Sequence, residues 1–196
     1  DDFRGKKVGV WKVGFGDLVY MMDVDKEMNI QWVPFLEGMN LYISGAVDAT
    51  LAMSYNEYLQ IKVSGHENKP FVRICDTEYD FPEDGVYVTI DFYRKNKDKV
   101  NAFVEASKRG WEYAHEHPEE ALDIVMKWVE KEQVHTNRLH QQWMLEEILR
   151  LQCKKGQKKP TFELDAQTVD KLSDLLLKHR RIHAPINLKK LKGGEL

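Results

Sequence analysis

Two short runs in this chain combine residue types suited to holding a small molecule. The first is Trp11-Lys12-Val13-Gly14-Phe15-Gly16-Asp17. Its glycines permit tight turns and close backbone approach. The helix expected after it would present unpaired N–H groups toward an anionic group. The run lacks the G-x-G-x-x-G pattern and a Gly-Lys-Ser/Thr ending, so a nucleotide fingerprint is disfavoured. It reads equally as a plain strand-to-helix turn, with Asp17 a ligand contact or only a helix N-cap. The second run is Tyr55-Asn56-Glu57. An amide that donates and accepts, next to an acceptor carboxylate, suits an amine, an amide or a protonated ring nitrogen. An acidic first helical turn is the competing reading.

Weaker candidates surround these. Tyr79 and Asp80 pair an aromatic face with a carboxylate in a turn-rich connector, suited to a flat heteroaromatic molecule or to turn formation alone. Asn40 begins a short helix, and Trp11 and Phe15 stand at a strand end and in a loop. Trp32 lies within an alternating strand and is expected in the core. His179 and His183 are four apart, yet no H-E-x-x-H motif accompanies them and Pro185 follows closely, so a metal is not expected. No G-x-S-x-G elbow or Cys-His signature points to nucleophilic catalysis. No catalytic residue and no cofactor is expected. Cys75 and Cys153 are expected to be ordinary thiols, which leaves the redox compartment open.

The elements that must position these groups follow from periodicity. Strands are expected at Lys7–Trp11, Asn29–Phe35, Val47–Met53 and Phe71–Cys75, with helices between them, including Asn40–Ser44 and Tyr55–Val63 stopped by Gly65. Alternation of this kind implies βαβ units and a parallel sheet, whose ligands sit beyond the carboxyl ends of the strands. Asp76 to Gly85 reads as a connector, Val86–Ile90 as a last strand, and the remainder as helices near 97–115, from Pro118, 139–151 and 166–177. The expected division is therefore an α/β unit over 1–80 and a helix-rich part over 81–196.

Composition narrows the classes. Of 196 residues, 42% are hydrophobic and 31% charged, ordinary for a soluble globular chain, and the net charge of −3 argues against a nucleic-acid or anionic-membrane partner. No apolar run approaches the roughly 18 residues of a membrane helix, and the opening Asp1-Asp2-Phe3-Arg4 has no positive n-region or apolar h-region, so a secretory signal, if one existed, is expected to have been removed or to lie outside this sequence.

Several motifs together resemble one family. Phe3-Arg4-Gly5-Lys6-Lys7-Val8-Gly9-Val10 is similar to the opening of the second lobe in SsuA/THI5/NMT1-like substrate-binding proteins. Ser44-Gly45-Ala46-Val47-Asp48-Ala49 resembles the family's G-x-V-D-A step, and Ser54-Tyr55-Asn56-Glu57 its ligand-facing turn. Asp80 to Val88 is similar to the crossover to the first lobe, and Trp111-Glu112-Tyr113-Ala114 with His117-Pro118-Glu119-Glu120-Ala121 to a helical stretch. The resemblance spans about residues 3–185. It implies a type II periplasmic-binding-protein-like α/β fold: a parallel or mixed sheet lobe plus a helix-rich, partial second lobe. It further implies hinge closure over a small, often heteroaromatic or anionic nutrient, delivery to an ABC permease, and a periplasmic or cell-surface location. The family's first strands precede the Gly-Lys-Lys-Val-Gly-Val step and are not in this sequence. The expectation is that a second or swapped chain supplies them, or that the chain is shortened. A ligand-sensing input domain of a membrane receptor is the alternative; a THI5-like pyrimidine synthase is disfavoured because its Cys-rich run is missing.

Overall fold

The computed structural model describes residues 2–12, 14, 16–36, 39–82, 84–153, 156–157 and 159–193. They group into two compact units, Asp1–Asp80 with Val129–Ile148, and Phe81–Trp128 with Leu149–Leu196. Residues 129–148 group with the first eighty residues.

In the first unit, β1 (Lys7–Trp11) lies at the centre of a three-stranded sheet of order β2-β1-β3, with β2 (Gln31–Phe35) and β3 (Ala49–Thr50) both parallel to it. Pro34 is tolerated because β2 pairs with β1 alone, so its missing N–H faces no neighbour. Val8 and Val10 on one face and Gly9 on the other are all buried, as expected of a strand covered on both faces. Gly9 is dictated by its neighbours: a Cβ there would lie 2.7 Å from Thr50 Oγ1 and 3.2 Å from Phe35 Cε1. Asp48 secures the register, its Oδ2 accepting from the Lys7 amide at 2.8 Å while its own amide donates to the Lys7 carbonyl at 2.9 Å.

Helix α1 (Asp17–Asp25) returns from the carboxyl end of β1 to its start, where the Gly5 amide donates to the Met28 carbonyl. Trp32 is half-buried, its Nε1 donating to Asp23 Oδ2 at 2.9 Å. Helix α2 (Asn40–Ile43) and helix α3 (Glu57–Ile61) follow; a core of Phe35, Met39 and Ile61 gathers Trp11, Leu41, Tyr42 and Ala52 around it. After α3 the chain makes a π turn over Lys62–His66 in which Gly65 takes φ 85°, the left-handed conformation that stops the helix.

Two expected strands are absent. Residues 71–73 form no strand, and Ile74–Asp76 is a single 3-10 turn closed by Thr77, whose Oγ1 donates to the Ile74 carbonyl at 2.7 Å. Side-chain contacts override β-propensity here: Phe71 packs on Tyr58 at 5.0 Å between centroids, and Arg73 is drawn to Glu147. Residues 86–89 are likewise not a strand. Thr89 caps the next helix, accepting from the Phe92 amide at 3.3 Å, so Ile90 opens α4 instead of ending a strand.

The second unit holds α4 (Ile90–Glu116), with a non-helical Asn96, most of α5 (Pro118–Lys131), the end of α6 (Arg138–Leu151), α7 (Ala166–Lys178) and α8 (Leu188–Leu191). Asp165 caps α7 through Thr168, and Ala114, Leu122 and Val169 are buried. No strand occurs after residue 80 among the described residues.

Candidate functional site

Because all three strands are parallel, the segments after β1 and β3 leave the same edge of the sheet. Two hydrogen bonds extend the pairing past the strand ends, from the Lys12 amide to the Phe35 carbonyl and from the Leu51 amide to the Gly9 carbonyl. The two runs singled out in the sequence therefore share one edge.

In the first run, Trp11 is half-buried, packs on Phe35 at 5.5 Å between ring centroids and belongs to the apolar core. Lys12 is exposed, and Gly14 takes φ 92°, a turn geometry that favours glycine. Gly16 is buried at the start of α1 under the Tyr20 ring, which a Cβ would meet at 2.7 Å. Gly16, not Asp17, holds the N-cap position; Asp17 is the exposed first residue of the helix. Phe15 lies outside the described residues. Asn40 is the exposed first residue of α2.

The second run is more elaborately held. Asn56 is the N-cap of α3, with its carboxamide bridging two partners. Its Nδ2 donates to Glu57 Oε1 at 3.3 Å, and its Oδ1 accepts from His140 Nε2 at 2.8 Å. Reversing the amide would set its oxygen against the Glu57 carboxylate, so the network itself fixes the orientation. Oδ1 can only accept, so His140 carries its proton on Nε2 here. The other Glu57 oxygen, Oε2, accepts from the Met53 amide at 3.0 Å. Glu57 thus both closes the turn entering α3 and anchors Asn56. Tyr55 is half-buried beside them.

Helix α6 supplies the partner side chains. Trp143 Nε1 donates to the Ser54 carbonyl at 3.0 Å, while Lys62 Nζ stands 4.8 Å from the indole and 5.8 Å from the Tyr58 ring. Arg73 Nη1 meets Glu147 Oε1 at 2.6 Å; the carboxylate side chain is only 9% exposed. These contacts pin α6 to the turn that carries Asn56. Beside them opens a depression of about 440 Å³, lined by residues of 56–60 and 134–144. His140 and Trp143 were not among the residues read as a site. Their only signal was an uncharged polar run, His140-Gln141-Gln142-Trp143, within a helix.

Tyr79 and Asp80 are placed elsewhere. The Tyr79 hydroxyl donates to Asp25 Oδ2 at 2.9 Å, at the end of α1 and hence near the amino ends of the strands. The ring is buried, and burial followed by the Asp25 carboxylate pushes the phenol well above its ordinary range. Desolvation, then the charge of Asp76, raises the Asp80 carboxyl. These two residues do not join the group around Asn56. Among the described residues no cluster of three or more His, Cys, Asp or Glu side chains could hold a metal, and no helix is long and apolar enough to cross a membrane.

The class defined so far is a mixed α/β chain with a small parallel sheet and many helices, its polar anchor at the carboxyl edge of that sheet. A family model described as NMT1/THI5 like matches residues 1–121, more than half of the sequence. The chain belongs to the NMT1/THI5-like family. That membership implies a periplasmic-binding-protein-like fold and fits a solute-binding role in the broad sense. Comparison with the curated proteins returned no match.

Proposed function

We propose that this chain is a solute-binding protein that captures a small organic nutrient, such as a pyrimidine-like heterocycle, without transforming it, and serves an ABC-type importer outside the cytoplasm. Family membership supports the binding role. The observation that carries the location is the Asn56 carboxamide, fixed by His140 and Glu57 at the carboxyl edge of a parallel sheet. A pre-oriented amide costs little ordering on binding, which favours affinity for a small ligand.

A thermal-shift screen against pyrimidines, sulfonates and polyamines tests the reading. One class should raise the unfolding midpoint, since a ligand at a hundredfold excess over its Kd stabilises by about 2.7 kcal/mol. Asn56→Ala should abolish that shift. No shift from any class, a shift indifferent to Asn56→Ala, or conversion of a panel member into product would each overturn the proposal.

A further inference from the structure

The depression beside Asn56 has a distinctive chemistry. Besides Thr136, its polar lining comes from the amides and imidazoles of Asn56, Gln60, His135, Asn137, His140 and Gln141. No carboxylate, ammonium or guanidinium lines it. An anion or cation placed there would lose hydration with no counter-charge to replace it, a cost that an uncharged ligand escapes.

The hydrogen-bonding capacity left over is mixed. Gln141 Nε2 donates to Thr136 Oγ1 at 3.1 Å, which leaves the Gln141 carbonyl oxygen to accept. The oxygen of Asn137 accepts from the His140 amide at 3.0 Å, which leaves the Asn137 NH2 to donate. His140, protonated on Nε2, keeps Nδ1 as an acceptor. Gln60 and His135 make no side-chain hydrogen bond among the described residues. Donors and acceptors therefore stand side by side around a space of about 440 Å³, within the range of small-molecule sites.

We propose that this depression is the ligand-contact site and that it selects an uncharged molecule with adjacent donor and acceptor groups, such as a cyclic amide or carboxamide, over its ionised counterparts. The inference rests on the solute-binding reading and narrows it to a ligand class and to a wall contributed by 134–144.

The test uses the full chain, uniformly 15N-labelled, titrated with matched probes: uracil and nicotinamide as neutral compounds, orotate and nicotinate as their carboxylated partners, and putrescine as a cation. The expected result is that at least one neutral probe shifts the amide signals of 56–60 and 134–141 and binds at least tenfold tighter than its carboxylate. Gln60→Ala and His135→Ala should each weaken it about threefold to tenfold, as loss of one hydrogen bond predicts, with unchanged unfolding midpoints. If a probe binds but shifts only 11–17, or the carboxylate binds as tightly as its neutral partner, this inference fails while solute binding stands. If neither variant weakens the neutral probe, the inference fails as well. If no probe binds anywhere and the wider thermal-shift screen is also blank, both fall together.

Discussion

His140 and Asn56, separated by 84 positions in sequence, are joined by a 2.8 Å hydrogen bond from imidazole Nε2 to carboxamide Oδ1. The bond makes the helix bearing His140 part of the turn that opens α3. His140→Ala should lower stability by about 1 kcal/mol, the ordinary worth of a half-buried hydrogen bond, and free the Asn56 amide to rotate. His140→Gln, which can still donate, should recover most of that loss. Denaturant unfolding of the two variants checks this; equal losses for Ala and Gln would mean that the bond contributes nothing specific.

Arg73 and Glu147 tie the same helix to a different segment, the stretch before the 3-10 turn at Ile74–Asp76. Glu147 is 8% exposed, so removing the Arg73 guanidinium takes a close positive charge away from a buried carboxylate. Arg73→Ala should cost about 3 kcal/mol, and a double change with Glu147→Met should cost less than the single one, because no buried charge then remains. A double variant less stable than Arg73→Ala alone would contradict this account.

Tyr79 introduces an alkaline dependence. Burial and the hydrogen bond to Asp25 raise its folded-state value above the ordinary 10.0. The stabilisation is complete below that unfolded value. Above it the unfolded chain loses the phenolic proton while the folded chain keeps it, so stability falls by up to about 1.4 kcal/mol per pH unit. Tyr79→Phe should remove this part of the slope. Identical stability profiles from pH 9 upward (roughly the onset of phenol titration) for the two proteins would refute the assignment.

Gly9 limits the sheet. A Cβ at this position meets Thr50 Oγ1 at 2.7 Å and Phe35 Cε1 at 3.2 Å. Gly9→Ala should destabilise by about 1–3 kcal/mol through overpacking, and Thr50→Ala placed in the same chain should relieve part of it. The coupling energy from a double-mutant cycle is the measurement; strict additivity would rule out the contact as the cause.

The parts of the fold that were legible in the sequence are those governed by local pattern. The Lys7–Trp11 strand, the glycine stop at Gly65, the Pro118 start of α5 and the stripe of α7 each depend on neighbours within a few residues. The strands expected at 71–75 and 86–90 were not found because distant or capping contacts took over: Arg73 reaches Glu147, and Thr89 turns its hydroxyl to the Phe92 amide. The same distinction governs the site. Asn56 and Glu57 could be noticed as neighbours at a strand tip. His140 could not, since nothing within its own helix indicates that it reaches back to Asn56. Tyr79 was misleading for a related reason, its ring and carboxylate partner meeting across 54 residues at the opposite edge of the sheet.

The return of 129–148 to the first unit puts part of the proposed site beyond the family match. The NMT1/THI5-like match ends at residue 121, whereas His135, Asn137, His140 and Gln141 of the depression come later. A chain cut near residue 128 would retain every strand and the whole family match, yet lack the 134–144 wall of the proposed site.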